Sequence, residues 1–257
     1  MDLRRVLELL AAGRLSVGEA ESRLSLAHID NVEGFARLDP GRHARKGVPE
    51  VVYAPGKNTG QLLKICGAMI DASGCAIVSG LDGEGWQTLE REFASIIGTA
   101  SREAGVMVLR TPGNEAPSGL GTVAVMTAGT SDIPVAEQAA IMAGAMGCEV
   151  VRAYDVGVAG VHRLIVPLEE IVSAGAAAIV VAAGMEGALP SVVSGLVSLP
   201  VIGLPTATGY GLGGEGEAAL LAMLQSCSPG LSVVNIGNGI GAGATAALIA
   251  RVASRAG

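Results

Sequence analysis

Gly129-Thr130-Ser131-Asp132 gathers two hydroxyls and a carboxylate between an apolar run, TVAVMT, and a helical pattern opened by Pro134. Backbone N–H groups at a helix start, together with the helix dipole, favour an anion, and the hydroxyls of Thr130 and Ser131 add donors. Ser131 or Asp132 could equally serve the backbone alone as a helix cap. Three further residues have the chemistry of acids, bases or nucleophiles. Glu186, in AGMEGALPSVVSGL, follows another apolar run; it can take a proton, or simply favour a helix's first turn by its charge. His162, in GVHRL, is a candidate proton acceptor, against the plainer reading of a structural histidine. Cys227, in LQSCSPGLSVVNI, is a nucleophile if ionised and a turn filler if not.

Five strand-length apolar runs must position these groups: TVAVMT, EVVRAYD, AAAIVVAAG, PVIGLP and LSVVNI, separated by helix-length segments. That alternation predicts a parallel sheet wrapped by helices, in which ligands bind at the carboxyl ends of the strands. After the fourth run, Pro205, Thr206 and Gly209 shape a loop able to approach a ligand. After the fifth, the glycines around Asn238 and Gly239 permit close backbone approach. Four such loops on one sheet edge point to a nucleotide-sized site.

The amino-terminal part differs in character. Residues 1–30 read as two short helices forming an appendage, with Leu3, Val6, Leu9 and Leu10 on one face and a capping box, Ser16 with Glu19, opening the second. Residues 31–115 read as a smaller α/β domain. It begins with an Arg-, Gly- and Pro-rich working surface and continues through strands at 51–54, CAIVSG and GVMVLR, with a helix from about residue 86 to residue 103. TPGNEAPSG is the linker, leaving 116–257 as the nucleotide-binding domain.

Composition removes other classes. Half of the 257 residues are apolar and 16% are charged, enough for a large core in at most two domains. A formal charge of -7 and six aromatic side chains offer neither attraction to nucleic acid nor stacking platforms. The apolar runs are too short to cross a bilayer and the amino terminus lacks a secretory pattern, so a cytoplasmic location is expected. The cysteines, Cys66, Cys75, Cys148 and Cys227, contain no C-x-x-C pair, against a zinc knuckle or redox dithiol.

With these residues in view, the chain resembles the pyridinium-3,5-biscarboxylic acid mononucleotide synthase (LarB) family across nearly its whole length. The resemblance rests on Arg42, Arg45 and Gly47 ahead of PEVVYAPGK, then GTSDIPVAEQA, GVAGVHRL, GMEGALPSVVSGLV, LPTATGYG, and Cys227 with VVNIGNGIGAG. The sequence departs from the family pattern at Gly237 and Ile240, where the family has Asp and Phe, and at Asn58, where it has Thr. The resemblance implies a PurE-like three-layer fold, a parallel sheet wrapped by helices, with a smaller N-terminal α/β domain. It also implies carboxylation at C5 of the pyridinium ring of nicotinic acid adenine dinucleotide, with hydrolysis of the phosphoanhydride to release AMP, for nickel-pincer nucleotide biosynthesis and lactate racemase maturation.

Mg2+ is the implied cofactor, its ligands left open, and CO2 or bicarbonate the co-substrate. The implied catalytic groups are Cys227 as covalent nucleophile, with Glu186, Asp132 or His162 as base. Thr130, Ser131, Gly184, Met185, Pro205, Thr206, Gly209, Asn238 and Gly239 would hold the ligand. Arg42, Arg45 and Lys57 would meet its phosphates or carboxylate, and Tyr53 would also bind the substrate. A homo-oligomer is expected on the same ground. Two other readings stay open: a PurE-like aminoimidazole ribonucleotide carboxylase or mutase, and a nucleotide-binding module without turnover.

Overall fold

A computed structural model describes residues 3–24, 30–39 and 41–255. The chain forms two compact units, residues 1–115 and 116–257.

The first unit opens with α1 (Leu3–Ala11) and α2 (Val17–Leu24). Val6 is buried against Leu15 and Ala20, with Leu9 and Leu10 beside them, whereas the Leu3 side chain lies outside the described residues. The Ser16–Glu19 box is formed: the Ser16 N–H donates to the Glu19 carboxylate at 2.8 Å and the Glu19 N–H donates to the Ser16 hydroxyl at 3.2 Å. Then follow β1 (Asp30–Val32), β2 (Ala36–Leu38), α3 (Arg42–Lys46), β3 (Val51–Tyr53), α4 (Thr59–Ser73), β4 (Cys75–Ser79), α5 (Gly83–Glu92), β5 (Ile97–Ser101) and β6 (Val106–Arg110). Strands β1 and β2 pair as a hairpin, and the others form a sheet in the order β3-β4-β6-β5.

The sequence predicts a helix as far as residue 103, but α5 ends at Glu92 and residues 97–101 are a strand. An antiparallel turn through Gly105, at φ 62°, returns the chain so that β5 pairs with β6. The pairing available across that turn overrides local helix propensity.

The second unit runs β7 (Thr122–Thr127), α6 (Ile133–Ala145), β8 (Glu149–Ala153), α7 (Ile165–Ser173), β9 (Ala176–Ala183), α8 (Leu189–Leu196), β10 (Val201–Pro205), α9 (Glu217–Leu224), β11 (Leu231–Val233) and α10 (Gly239–Ala253). Its five strands are all parallel, in the order β11-β10-β9-β7-β8. Strand β9 is almost wholly buried because helices cover both faces, which is why it reads as an unbroken apolar run. Leu168 and Ile171 of α7, Val193 of α8 and Met223 of α9 pack on one face. On the other, α6 and α10 meet so closely that a Cβ at Gly243 would lie 2.2 Å from the Ala139 carbonyl. This is the three-layer, PurE-like α/β architecture, with a smaller α/β unit before it.

Candidate active site

A cavity of about 440 Å³ opens at the carboxyl ends of the second unit's strands. In the order β8-β7-β9 the chain leaves β7 to one side for β8 and then crosses to the other for β9. The loops part at such a switch point and leave a crevice between them. Its walls are residues 128–132 after β7, parts of 155–163 after β8, parts of 183–189 at and after the end of β9, and Thr208 beyond β10.

The loop after β7 turns at once into a single 3-10 turn, Thr130–Asp132, ahead of α6. Thr130 and Ser131 are exposed there, and their N–H groups have no protein acceptor among the described residues. Asp132 is different: it is only 3% exposed and both its oxygens are occupied. One accepts the Gly129 N–H at 2.9 Å, and the other accepts the hydroxyl of Thr206, itself buried, at 2.6 Å. Hydrogen bonds to a charged group contribute about 1.5–3 kcal/mol each, so this carboxylate ties the β7 and β10 loop ends together.

On the opposite wall Gly184 lies so close to the next loop that a Cβ there would meet the Thr208 carbonyl at 2.1 Å. The Met185 N–H donates to that carbonyl at 2.7 Å, and Met185 adopts φ 52°, a left-handed conformation unusual for a long side chain. Glu186 is exposed on the cavity wall, three residues before α8 rather than at its first turn.

Of the residues expected from sequence, Thr130, Ser131, Asp132, Gly184, Met185 and Glu186 line this cavity. Pro205 and Thr206 are buried behind it, and Gly209 is exposed beside Met185. Asn238 caps α10, accepting the Gly241 N–H at 2.9 Å, and Gly239 packs that helix start against Val135 of α6. Neither lines the cavity.

His162 is likewise outside the lining: it is exposed on the 3-10 turn Val158–Leu164, and its neighbour Arg163 lines the cavity instead. Cys227 is exposed in the turn between α9 and β11, outside the cavity lining. That turn is stitched to α8: the Ser226 and Ser191 hydroxyls bond at 2.8 Å, and the Ser228 hydroxyl donates to the Ser191 carbonyl at 2.8 Å.

Four residues in the first unit were also expected. Arg45 forms a bidentate pair with Asp39, and with Arg42 nearby this holds the Asp39 carboxyl below its usual range. Lys57 borders a smaller hollow of about 190 Å³ with Asn58, Asp82 and Glu84, and donates to the Tyr53 carbonyl at 2.5 Å. Tyr53 itself is exposed.

The sequence reading passed over Asp155, Gly157, Arg163 and Thr208, all on the cavity wall. Asp155 ends the second apolar run, EVVRAYD, and Gly157 and Arg163 follow it, so strand-end position alone could have found them. Beside them Tyr154 donates to Glu137 of α6, which also accepts Arg152 Nε at 2.9 Å. Burial, reinforced by the Glu137 carboxylate, pushes the Tyr154 phenol up and keeps it a donor. Among the described residues Arg163 is the one cation in the lining, which also holds Asp132, Asp155 and Glu186, and it pairs with Asp155.

Two family descriptions match the chain. Residues 122–256 match AIR carboxylase, and residues 29–110 match the LarB/PurE-like N-terminal domain. The whole chain is also similar to an uncharacterized protein of Methanocaldococcus jannaschii, 39% identical over 259 residues that cover 98% of each. No helix among the described residues is long and apolar enough to cross a membrane.

Proposed function

Because the chain belongs to the LarB family and carries a PurE-like domain, we propose that it carboxylates nicotinic acid adenine dinucleotide at C5 of the pyridinium ring. It then hydrolyses the phosphoanhydride, giving pyridinium-3,5-biscarboxylic acid mononucleotide and AMP for nickel-pincer nucleotide assembly. Family membership makes it a PurE-related, carboxylase-type enzyme. The observation carrying the finer reading is the pairing of the LarB-type N-terminal domain with that carboxylase domain in one chain. The cavity supports it by its size, which suits a small-molecule site, and by a lining that includes Arg163 and two residues, Thr130 and Ser131, whose N–H groups have no acceptor among the described residues.

A pyridinium ring is electron-poor and cannot attack CO2 directly. Addition of the Cys227 thiolate at C4 moves the electron pair into the ring, giving a neutral dihydropyridine whose enamine carbon, C5, attacks CO2. A base then removes the C5 proton, the C4–S bond breaks, and the thiolate departs as the aromatic cation is restored. Glu186 suits the base, being exposed on the wall, whereas Asp132 already accepts two hydrogen bonds. Water cleaves the anhydride, and AMP leaves.

No group of three or more His, Cys, Asp or Glu among the described residues is arranged to hold a metal ion. Mg2+ commonly keeps several waters and binds through one or two carboxylates plus ligand phosphates, a looser role that Glu186 fits. It would supply charge neutralisation at the phosphates. Since Cys227 lies outside the cavity lining, the thiolate must come from a neighbouring copy in the expected homo-oligomer or by movement of its turn.

That same position favours a second reading, carboxylation of an aminoimidazole ribonucleotide, whose ring is electron-rich and needs no thiolate. Incubation with the dinucleotide, Mg2+ and labelled bicarbonate decides. Labelled mononucleotide and AMP in equal amounts, with a mass adduct confined to Cys227, support the first reading. Binding without label or AMP indicates a module without turnover. Turnover of aminoimidazole ribonucleotide alone, undiminished in Cys227→Ser, establishes the second reading.

A further inference from the structure

We propose that Arg163 seats an oxyanion of the ligand and that Asp155 is its exchangeable counter-charge, so that the pair sets how tightly an anionic ligand is held. The inference rests on the cavity being the ligand site of the function proposed above.

A guanidinium has five N–H donors. One Nη1 hydrogen goes to the Asp155 carbonyl at 2.7 Å, and Nη1 also pairs with the Asp155 carboxylate at 3.2 Å. Nη2 donates to the Gly157 carbonyl at 3.4 Å. Nε and the second Nη2 hydrogen therefore have no acceptor among the described residues, although Arg163 lines the cavity. Free donors on a cavity wall await acceptors from a ligand, and a planar fork suits a carboxylate or phosphate presenting two oxygens.

The arginine is fixed by groups that do not depend on the Asp155 carboxylate. Asp155 takes φ 58°, and its N–H donates to the hydroxyl of Thr127, the fully buried last residue of β7, at 3.0 Å. The Val156 N–H donates to the Thr127 carbonyl at 3.0 Å. Those bonds aim the two carbonyls that grip Arg163.

Two glycines make the room. A Cβ at Gly160 would lie 2.8 Å from Arg163 Nε, and one at Gly157 would lie 2.7 Å from the Ala128 carbonyl. The carboxylate of Asp155 is, by contrast, 53% exposed and free to swing into water. An exposed pair of this kind is weak, and a bidentate ligand oxyanion can displace it.

The charge on Asp155 then opposes the ligand it makes way for. Asp155→Asn should tighten an anionic ligand about fivefold at low ionic strength, and the gain should fade with added salt. Arg163→Lys, which keeps the charge but loses the fork, should weaken binding about tenfold.

Calorimetric titration of the full chain tests this with three probes: nicotinic acid adenine dinucleotide, nicotinamide adenine dinucleotide and inorganic phosphate. A gain in Asp155→Asn for the acid dinucleotide alone places the ring carboxylate on Arg163. A gain for both dinucleotides, with phosphate competing, places a phosphate there. Either gain must vanish when Arg163→Gln is added. No change or a loss in Asp155→Asn, or a gain that survives Arg163→Gln, overturns the proposal. Should the wild type ignore both dinucleotides yet bind phosphate more tightly as Asp155→Asn, the functional reading falls and the pair stands. If no probe binds, both fall.

Discussion

Thr206→Val is the sharpest probe of how the cavity is held together. Valine nearly matches threonine in shape, so the change removes one hydroxyl from a site that is 1% exposed and leaves no large void. The lost bond is the one donated at 2.6 Å to Asp132, a carboxylate 3% exposed that water cannot readily reach to replace it. A hydrogen bond to a charged group is worth about 1.5–3 kcal/mol, and stranding its buried partner adds to that; about 2–4 kcal/mol is expected. For a unit of this size that lowers the melting temperature by roughly 6–15 °C.

Calorimetry and urea unfolding measure the loss, with Thr208→Val as the control. Thr208 is half-buried and donates only a long bond, 3.4 Å, to the Ser131 carbonyl, so its loss should stay within about 0.5 kcal/mol. The Gly129 amide, which donates to the same carboxylate, should also exchange faster with solvent in Thr206→Val. The reasoning is refuted if Thr206→Val unfolds within about 0.5 kcal/mol of the wild type, or if Thr208→Val is equally damaging.

Three further outcomes are expected. Gly184→Ala forces a methyl to within 2.1 Å of the Thr208 carbonyl, so the wall must shift; stability should fall by about 2 kcal/mol or more and nucleotide binding with it, both measured by calorimetry. With a thiol-reactive label read by peptide mass mapping, exposed Cys227 should react first. Cys66, wholly buried and pushed up to about 12 by burial, should stay unlabelled until unfolding. Arg45 holds Asp39 below its ordinary 3.8, so this pair's contribution is fully present above pH 3.8 and is lost as pH falls through the lowered value. In Asp39→Asn that part of the acid-unfolding curve should flatten, and an unchanged curve would count against the pair.

The sequence carried the alternation of the second unit because its strands are buried on both faces and must be apolar throughout. It carried less of the first unit, where β5 is a half-exposed edge strand, IGTAS, whose pattern resembles the end of a helix. At the site, glycines and small polar residues after β7 and β9 were legible since helix starts and close turns demand those types. Arg163 and His162 are adjacent in the chain, and composition could not say which faces the cavity. That depends on a 3-10 turn broken at Gly160 and anchored through Thr127.

By itself the sequence determined which segments are strands and helices in the carboxyl-terminal unit, and therefore the edge at which the candidate site lies. Only the tertiary structure decided what each site residue does there. Asp132 and Thr206 lie 74 positions apart yet share a hydrogen bond, and Cys227, for all its chemical promise, lies beside α8 outside the cavity lining. The reason is physical: element type follows from local periodicity, whereas the orientation of a side chain follows from contacts between strand ends that only the closed sheet brings together.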